Sequence, residues 1–424
     1  MSQPIQTIKG TKDILPVEAA RWRHVERLAG EVLHRYRYEE LRTPVYEATE
    51  LFARGIGENT DIVGKEMFTF QDRGGRSLTL RPENTAGVAR AYIQHKLYTG
   101  PSPQKLWYAG PMFRAENVQA GRQRQFHQLG VECLGSEDPR WDAEAIVLAA
   151  EIFESLGLAA ATGAWDLELN SVGCAGCRPT YREALQAWLR QRVEALCADC
   201  TSRTERNPLR VLDCKVPACR EVLAEAPLID AALCEGCVAA LVTVTTLLEA
   251  AGLSPRRNAR LVRGLDYYSR TVFEFVTRDA RLGAQSTICA GGRYDGLVAE
   301  LGGPPTPAVG WALGMERLLT LLPAELATAA GPAAVLLTAP GTPLAPGFGL
   351  ARALRALGVA LDLAPGGKLD KQFKHAERLG ARFAIVLGEQ ELAEGAVTLK
   401  DLRARTQERL PLDAEALAAR LSLA

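Results

Sequence analysis

The sequence has no excess of charge of either sign, because 50 Lys and Arg side chains balance 50 Asp and Glu side chains over 424 residues. A basic field over the whole molecule is therefore excluded, and any contact with nucleic acid must come from local clusters of cations. The sequence also lacks the run of about 18 apolar residues that a membrane span requires. Residues 1–16 are polar and broken by prolines, unlike a signal or transit peptide. We therefore expect a cytoplasmic protein with no membrane partner.

Cysteine is unevenly distributed along the chain. Of the ten cysteines, eight form four close pairs, which are Cys174/Cys177, Cys197/Cys200, Cys214/Cys219 and Cys234/Cys237. In a reducing compartment, clustered CxxC pairs indicate zinc more than disulfides. One or two tetrahedral Cys₄ sites for a structural Zn²⁺ could form, and the alternative is a set of reduced, buried cysteines. Cys133 and Cys289 are isolated in strand-like segments, where small buried side chains are expected.

The order of the predicted elements favours an α+β fold built on an antiparallel sheet. Amphipathic spacing predicts a helix over 19–37, and further helices are predicted over 141–157 and from Met315. Strands are predicted over 76–83, 105–116, 122–135, 165–173, 271–276, 287–297 and 308–314. Runs of strands with helices grouped elsewhere are typical of α+β domains.

Two further regions divide the chain. Residues 174–253 are Cys-rich and mainly helical, and they interrupt the sheet as an insertion. Beyond a stretch of small residues, β and α patterns alternate as βαβαβ, which predicts a small parallel-sheet domain. The predicted organisation is a core over 1–327 that contains the insertion, a linker over 328–333 and an α/β domain over 334–424.

The strand over 122–134 carries a polar face. Alternation places Phe126, Gln128, Gly130 and Glu132 on that face, whereas His127 lies on the apolar one and is predicted to be a core residue. Gln128 and Glu132 would lie roughly 13 Å apart at Cα, and Gly130 would leave space between them for a small molecule. The alternative is a solvated strand face with incidental polar side chains.

Cations surround the same hairpin. Arg114 ends one strand, and Arg122 and Arg124 begin the next. Guanidinium groups suit phosphate oxygens, so the cluster favours a polyanion, with a surface salt-bridge cluster as the alternative. Phe126 beside them could stack on a base or belong to the core. A second polar stretch, "RGLDYY" over 263–268, directly precedes a strand.

These segments together resemble the histidyl-tRNA synthetases, a family of class II aminoacyl-tRNA synthetases. The resemblance is carried by residues 113–132, 261–275, 290–297 and 309–319, with further matches at 42–52, 79–85 and 388–402. Segment 42–52 resembles the class II dimer-interface motif, with its proline at Pro44. The resemblance implies a class II antiparallel-sheet catalytic domain with a helical Cys-rich insertion and a C-terminal α/β anticodon-binding domain. It also implies a homodimer.

The family implies a two-step reaction. Histidine and ATP form histidyl-adenylate and pyrophosphate, with Mg²⁺ accompanying the ATP, and histidine is then transferred to the 3′ end of tRNA(His). The alternative is a silent paralogue that serves as the regulatory subunit of ATP phosphoribosyltransferase. That paralogue usually lacks the C-terminal domain and tends to lose part of the arginine set, and both are present here.

The resemblance implies a set of residues that bind histidine: Glu83, Asn84, Thr85, Gln128, Glu132, Arg263, Tyr267 and Tyr268. Within this set, Glu83 and Thr85 are expected to hold the α-amino group of the substrate. Gln128 and Arg263 are expected to hold its carboxylate.

The rest of the histidine set is expected to recognise the side chain of the substrate. Glu132 and Tyr268 read the imidazole, with Tyr267 beside them. Arg263 and Arg114 are the expected catalytic residues, because an arginine between the substrate carboxylate and the α-phosphorus offsets their repulsion and stabilises charge that develops at phosphorus.

A second implied set binds ATP: Arg114, Glu116, Arg122, Phe126 and Arg317. Arg114 is expected at the α-phosphate, Arg122 at the outer phosphates and Phe126 on the adenine, while Arg317 clamps the triphosphate.

One loop departs from the family pattern. Family members often have Glu-Arg-Pro-Gln where this chain has Glu116-Asn117-Val118-Gln119. This loop is expected to meet the extra 5′ guanosine of the tRNA. Asn117 removes a guanidinium that could contact phosphate or guanine, which leaves the mode of acceptor-end recognition open.

Overall fold

The chain forms two compact units, Met1–Leu326 and Ala327–Ala424. The computed structural model describes residues 4–57, 60, 62–119, 121–283, 286–324, 326 and 331–422. Of the predicted linker, residues 328–330 lie outside this described part. Within it, no helix is both long and apolar enough to cross a membrane.

The described residues of the first unit form eleven strands and ten helices. The strands are β1 (Glu39–Glu40), β2 (Tyr46–Ala48), β3 (Phe68–Gln71), β4 (Ser77–Leu80), β5 (Gln104–Phe113), β6 (Gln125–Leu134), β7 (Asp166–Ser171), β8 (Arg256–Arg257), β9 (Ser269–Val276), β10 (Thr287–Arg293) and β11 (Ala308–Gly314). The helices are α1 (Pro16–Arg35), α2 (Thr49–Ile56), α3 (Thr85–Gln94), α4 (Arg140–Ser155), α5 (Arg178–Arg190), α6 (Ala198–Arg206), α7 (Pro217–Leu223), α8 (Glu235–Ala250), α9 (Leu297–Glu300) and α10 (Met315–Leu321). Short turns join them at Ile62–Glu66, Leu97–Thr99, Ala160–Thr162, Val193–Ala195, Pro208–Asp213, Ile229–Ala232 and Ala280–Leu282.

The eight-stranded sheet of this unit has the order β1-β5-β6-β11-β10-β9-β7-β8. Its six central strands pair antiparallel, while the two-residue edge strands β1 and β8 run parallel to their neighbours. A separate three-stranded sheet has the order β2-β4-β3. The predicted α+β fold on an antiparallel sheet is therefore confirmed.

One face of the large sheet is apolar and packs on helices α1 and α4. Leu129, Val131 and Cys133 of β6 belong to this core. The indole N–H of Trp311 on β11 donates to the Ala145 carbonyl of α4 at 2.7 Å. His127 also faces this side, where its ring packs edge-on against Trp22 and its Nδ1 lies 2.9 Å from Glu316. The opposite face of β6 is thereby left for polar residues.

Helix α1 begins earlier than its apolar spacing predicts. Pro16 occupies its first turn, where a missing N–H costs no hydrogen bond and the fixed φ angle suits a helix. Trp22, Val25, Ala29 and Val32 form the buried stripe. This stripe covers the apolar face of the sheet with the residues that the helical period predicts.

The predicted insertion is mainly helical, with α5 to α8 between Arg178 and Ala250. The inner side of α8 buries Val244 and Leu248 in the core of the large sheet. The other helices surround a separate small core in which three of ten buried residues are cysteines, namely Cys200, Cys214 and Cys219. A core of this size depends on additional cross-links more than a large one does.

The second unit contains β12 (Ala334–Thr338), α11 (Leu344–Ala356), β13 (Leu361–Leu363), α12 (Leu369–Arg378), β14 (Phe383–Leu387), α13 (Glu389–Ala393), β15 (Ala396–Asp401), β16 (Thr406–Pro411) and α14 (Ala414–Ser422). Its five-stranded sheet has the order β13-β12-β14-β15-β16. The first three strands are parallel, as predicted, whereas β15 and β16 form an antiparallel hairpin that the prediction missed. Strand β16 is almost wholly exposed, so it lacks the apolar alternation that identifies a strand.

Candidate active site

A small cavity of about 80 Å³ opens on the polar face of the large sheet. Its lining residues come from four distant parts of the chain: Glu83, Thr85, Tyr108, Arg114, Gln128, Glu132, Arg263, Leu265, Tyr267, Tyr268, Ala290, Tyr294, Gly310, Trp311 and Ala312. All the residues predicted to bind histidine are among them except Asn84. The structure therefore brings together residues from Glu83 to Ala312, which are 229 positions apart in the sequence, and the antiparallel sheet is the scaffold that aligns them.

Glu132 lies at the bottom of this cavity with only 1% of its surface exposed. One carboxylate oxygen accepts a 2.6 Å hydrogen bond from the Thr85 hydroxyl, and the other accepts from the Tyr294 hydroxyl. Gly310 of β11 lies directly opposite Glu132, and a Cβ at that position would be 1.9 Å from the carboxylate. Only a glycine therefore leaves room for this side chain.

The environment of Glu132 changes its protonation. Burial away from water raises the pKa of its carboxyl from 4.5 to about 8. The negative charge of nearby Glu83 also raises this pKa, while hydrogen bonds from Thr85 and Tyr294 oppose the rise. Without a ligand, Glu132 is therefore mostly protonated at neutral pH, and a cationic or N–H-donating ligand would favour its charged form.

The space beside Gly130 is filled, contrary to the expectation that it would admit a small molecule. Tyr108 of β5 lies directly opposite Gly130 of β6, and a Cβ on this glycine would be 2.4 Å from the tyrosine ring. The Tyr108 hydroxyl lies 3.4 Å from Glu132. The gap between Gln128 and Glu132 thus holds an aromatic wall of the cavity, which narrows the site around Glu132.

Glu83 and Thr85 stand at the start of helix α3. The Glu83 carboxylate accepts hydrogen bonds from the amides of Thr85 at 2.6 Å and Ala86 at 3.1 Å, and so satisfies donors that a helix leaves unpaired. Burial raises the pKa of Glu83 despite these bonds. Asn84 points away from the cavity, since its side-chain oxygen accepts a 2.5 Å hydrogen bond from the Thr43 hydroxyl.

The segment 263–268 forms one wall of the cavity. Arg263 pairs with the carboxylate of Glu274 on β9, and its guanidinium lies 5.9 Å from the ring centroid of Tyr268. The rings of Tyr267 and Tyr268 pack at a centroid distance of 4.8 Å, and Tyr267 also contacts Tyr294 at 5.5 Å. A fixed cation and an aromatic wall thus stand beside Glu132.

Three arginines surround a single carboxylate at the end of the β5–β6 hairpin. Arg122 pairs with Glu116, and an Arg114 nitrogen lies 3.8 Å from the same carboxylate. Burial lowers the pKa of Arg317, and the positive charges of Arg122 and Arg114 lower it further. This cluster has an excess of positive charge, which favours an anion.

A second, larger cavity of about 350 Å³ adjoins these arginines. It is lined by Lys65, Glu66, Ala115, Glu116, Asn117, Gln119 and Arg122. Phe126 lies nearby, with the Arg114 guanidinium 5.2 Å from its ring centroid. Cations beside an aromatic ring and an open cavity suit an aromatic polyphosphate.

The eight clustered cysteines form two groups in the insertion. One group joins Cys174 and Cys177 to Cys234 and Cys237, and the other joins Cys197 and Cys200 to Cys214 and Cys219; within each group the sulfur atoms all lie within 4.8 Å of one another. All of them are free thiols.

The sulfur spacing in both groups suits a tetrahedral metal. Four thiolates around Zn²⁺ at about 2.3 Å would lie roughly 3.8 Å apart. The Cys174 sulfur lies 3.6 Å from that of Cys177 and 3.9 Å from that of Cys234. In the other group, the sulfurs of Cys197 and Cys214 are 3.9 Å apart. Both groups could therefore hold a metal ion without large movement.

Two tyrosines that surround Glu132, Tyr108 and Tyr294, were not predicted to be site residues. Tyr108 lies opposite a glycine in the β5–β6 hairpin, and a large residue that faces a glycine across a predicted hairpin is a signal that could have identified it. Tyr294 follows β10, and no local pattern in the sequence indicates that its hydroxyl reaches Glu132.

Comparison with known proteins gives a consistent picture. The family model described as histidyl-tRNA synthetase matches residues 10–318, and the model described as anticodon binding domain matches residues 347–418. A histidine–tRNA ligase of Pelotomaculum thermopropionicum is 50% identical over 409 residues, which cover 96% of this chain and 95% of that protein. A histidine–tRNA ligase of Anaeromyxobacter dehalogenans is 51% identical and covers 99% of both chains. The crystal structure of apo S. aureus histidyl-tRNA synthetase aligns with a TM-score of 0.82 at 36% identity over 99% of this chain and 100% of that one.

Proposed function

The chain belongs to the histidyl-tRNA synthetase family, and from this premise we propose how its residues divide the reaction. It is a class II histidine–tRNA ligase, since relatives of about 50% identity over nearly the whole chain are histidine–tRNA ligases. The alternative of a regulatory subunit of ATP phosphoribosyltransferase is not supported. The substrates are ATP, L-histidine and tRNA, in keeping with the matched anticodon-binding domain.

We propose that the cavity around Glu132 binds histidine. The observation that carries this proposal is the convergence of Glu83, Gln128, Glu132 and Arg263 on one small space. Glu132 would accept an imidazole N–H, and Tyr268 would lie at the opposite ring nitrogen. Glu83 would hold the α-amino group, with Thr85 beside it. Binding of the cationic groups of histidine would shift both carboxyl groups toward their charged forms.

The substrate carboxylate would lie between Gln128 and Arg263. The Nε–H of Arg263 has no hydrogen-bond partner among the described residues, so it can donate to the substrate carboxylate. From Gln128 the side-chain NH₂ group would donate to this carboxylate, because the amide oxygen only accepts. For Arg263 to contact the substrate, its pairing with Glu274 would be exchanged in part for contact with the incoming anions.

ATP would lie along the arginine hairpin. Arg114 would contact the α-phosphate, Arg122 and Arg317 the outer phosphates, and Phe126 the adenine. The histidine carboxylate oxygen attacks the α-phosphorus, the bond from phosphorus to the β-phosphate oxygen breaks, and pyrophosphate leaves. Arg263 and Arg114 would stabilise the charge that develops at phosphorus. Mg²⁺ bound with ATP would neutralise phosphate charge, and Glu116, a carboxylate that lines the larger cavity, would be placed to hold it.

We propose that each cysteine group holds one structural Zn²⁺. The sulfur spacing supports this assignment, as do backbone amides that donate to two of the sulfurs: Cys234 to the Cys177 sulfur and Cys197 to the Cys219 sulfur, both at 3.1 Å. Neither group lines the histidine cavity, so the metal would not take part in the chemistry. Metal analysis of protein purified without added zinc tests this, and fewer than about 0.2 Zn per chain would reject it, given the tight binding of such sites.

Assembly and location follow the same premise. We propose a homodimer, because Tyr46 and Phe70 of the three-stranded sheet are exposed and pack together at 6.3 Å close to Pro44, which the resemblance places at the dimer interface.

A cytoplasmic location fits the free thiols and the tRNA substrate. We further propose residues 1–327 as the catalytic domain, 328–333 as the linker and 334–424 as the anticodon-binding domain.

The direct test is histidine-dependent exchange of pyrophosphate into ATP. We expect exchange with histidine and none above background with the other nineteen amino acids. Activity without histidine dependence would contradict the substrate assignment. Absence of exchange in a protein that binds both substrates would contradict the catalytic assignment of the arginines.

A further inference from the structure

The segment 263–268, here called the histidine loop because of the proposed ligand, has no helix or strand of its own, although Arg263, Tyr267 and Tyr268 line the cavity. Its central residue, Asp266, faces away from the cavity lining. On one side, the Asp266 amide donates to the Ile56 carbonyl at the end of helix α2 at 3.3 Å. The remaining contacts of Asp266 decide how firmly the loop is held.

Those contacts come from the Cys-rich insertion. The side-chain amide of Asn207 donates to the Asp266 carboxylate at 2.7 Å. Arg178 donates to the Asp266 backbone carbonyl at 3.2 Å. The Arg210 guanidinium lies against Gly264, where an added Cβ would be 3.2 Å from it. The insertion thus contacts the loop through side chains from two of its segments.

Each of these segments is tied to one cysteine group. Arg178 follows Cys177 directly and begins helix α5. Asn207 and Arg210 lie between Cys200 and Cys214, which belong to the second group. The helices there are short, with nine residues in α6 and seven in α7. Such short helices around a small core are marginal without cross-links.

We infer that the insertion is a positioning device for the histidine loop, and that metal in the two cysteine groups keeps Arg178 and Asn207 where they hold Asp266. Asn207 is then a positioning residue for histidine binding, because it acts through Asp266 on Arg263 and Tyr268. This inference rests on the histidine site and on the zinc sites proposed above. It predicts that damage to the insertion weakens histidine binding more than ATP binding.

The first test changes Asn207 in the full-length enzyme and leaves the cysteines intact. Asn207→Ala removes the hydrogen bond, and Asn207→Asp places a second negative charge beside Asp266. The measurement is the KM for histidine and the KM for ATP in pyrophosphate exchange. We expect the histidine KM to rise roughly three- to tenfold in Asn207→Ala, which is less than the full effect of a lost hydrogen bond to a charged group because Asn207 acts on the ligand only through the loop, and further in Asn207→Asp. The ATP KM should change less than about twofold.

Thr243→Ala is the matched control. Thr243 lies in helix α8 of the same insertion and its hydroxyl donates to the Ala239 carbonyl at 2.9 Å, so the variant loses one hydrogen bond away from the segments that contact the loop. We expect unchanged KM values for both substrates. A histidine KM within twofold of the parent in Asn207→Asp would overturn the inference, and so would an equal rise in Thr243→Ala or an equal rise of both KM values.

The second test removes metal. Cys214→Ser deletes one ligand of the second group, and zinc per chain and both KM values are measured on the same sample. We expect zinc to fall from about two to about one per chain and the histidine KM to rise selectively, as in Asn207→Asp. Loss of zinc with an unchanged histidine KM would overturn the role of the metal. A parent enzyme that holds no zinc would show that the zinc sites are wrong, and the Asn207 variants would then still test the positioning role. A parent enzyme without histidine-dependent exchange would instead show that the proposed function is wrong.

Discussion

The two larger β-sheets of this chain use their faces differently. The eight-stranded antiparallel sheet packs one face on helices α1 and α4 and leaves the other for the cavity around Glu132. The five-stranded sheet is apolar on both faces: Ala334 and Leu336 pack with α11 and α14, and Val335 and Leu337 pack with α12. A sheet that helices cover on both sides has no face left for a ligand. This comparison indicates that the candidate small-molecule site lies in the first unit, and that a ligand would contact the second unit at its outer surface.

Separating the two units gives the largest expected effect. Residues 1–327 alone should still activate histidine, because each unit has its own apolar core. Charging of tRNA should fall on the order of 10²–10⁴-fold, since a linked second contact contributes affinities of that size. Pyrophosphate exchange and tRNA charging are measured on the same sample. A truncated protein that charges tRNA as well as the full chain would break the comparison.

Removing Arg263 should have the next largest effect. Arg263→Ala should slow adenylate formation on the order of 10²–10³-fold, as expected for loss of one well-placed electrostatic stabiliser, with a smaller loss of ATP binding. Arg263→Lys should recover only part of the rate, because lysine lacks the planar fork. The measurement is single-turnover adenylation on folded, dimeric protein.

Arg382→Ala is the control from the second sheet. Arg382 also pairs with a carboxylate, that of Asp401 at 3.3 Å, and its loss should leave adenylation unchanged. If Arg263 is only a salt-bridge partner of Glu274, the Arg263→Ala enzyme would be less stable but nearly as fast. An adenylation rate within threefold of the parent would favour that alternative.

A smaller change concerns the imidazole contact. Glu132→Gln keeps the size of the side chain and removes its charge. We expect the histidine KM to rise roughly 10–100-fold, the range for a lost hydrogen bond to a charged group, with little change in the ATP KM. Asp401→Asn in the second sheet should change neither value. A parallel rise in both constants for Glu132→Gln would show that the pocket is assigned wrongly.

The smallest expected effect is a pH dependence of stability with opposite signs in the two sheets. The pKa of Glu132 rises from 4.5 to about 8 on folding, so its contribution to stability is complete below pH 4.5 and is lost as the pH rises through about 8. Glu132→Gln avoids this loss. The melting temperature of Glu132→Gln relative to that of the ligand-free parent should therefore rise by roughly 2–5 °C between about pH 6 and pH 8.5.

Asp401 should behave in the opposite way. Hydrogen bonds from the amides of Ala404 and Arg403 lower its pKa from 3.8, so its contribution is present above pH 3.8 and is lost as the pH falls through the folded-state pKa. The stability of Asp401→Asn should therefore approach that of the parent only at acidic pH. Calorimetric melting across pH 3 to 9 checks both variants, and the same slope in both would contradict the assigned environments.

Local pattern was sufficient for much of the first unit. The alternation of β6 predicted that Leu129 and Val131 face the core while Gln128 and Glu132 face the other way, and the structure confirms it. His127 lies on the same face as Leu129, but it is only half-buried and pairs with Glu316 instead of joining the core. Alternation has a period of two residues and helical stripes a period near 3.6, so both can be read along the chain. The motifs of the family added the fold class and the anticodon-binding domain, and the comparisons confirm both.

What only the tertiary structure decided depends on contacts between distant positions. The filling of the Gly130 gap by Tyr108, the bond from Tyr294 to Glu132 and the outward turn of Asn84 all follow from strand register and loop packing. The grouping of Cys174 with Cys234, 60 residues apart, has the same origin. The periodic spacing of apolar residues along the chain does not specify which strands are neighbours, because register is set when whole faces are buried together. The sequence therefore determined the elements and their faces, while folding of the complete unit decided which side chains meet at the site.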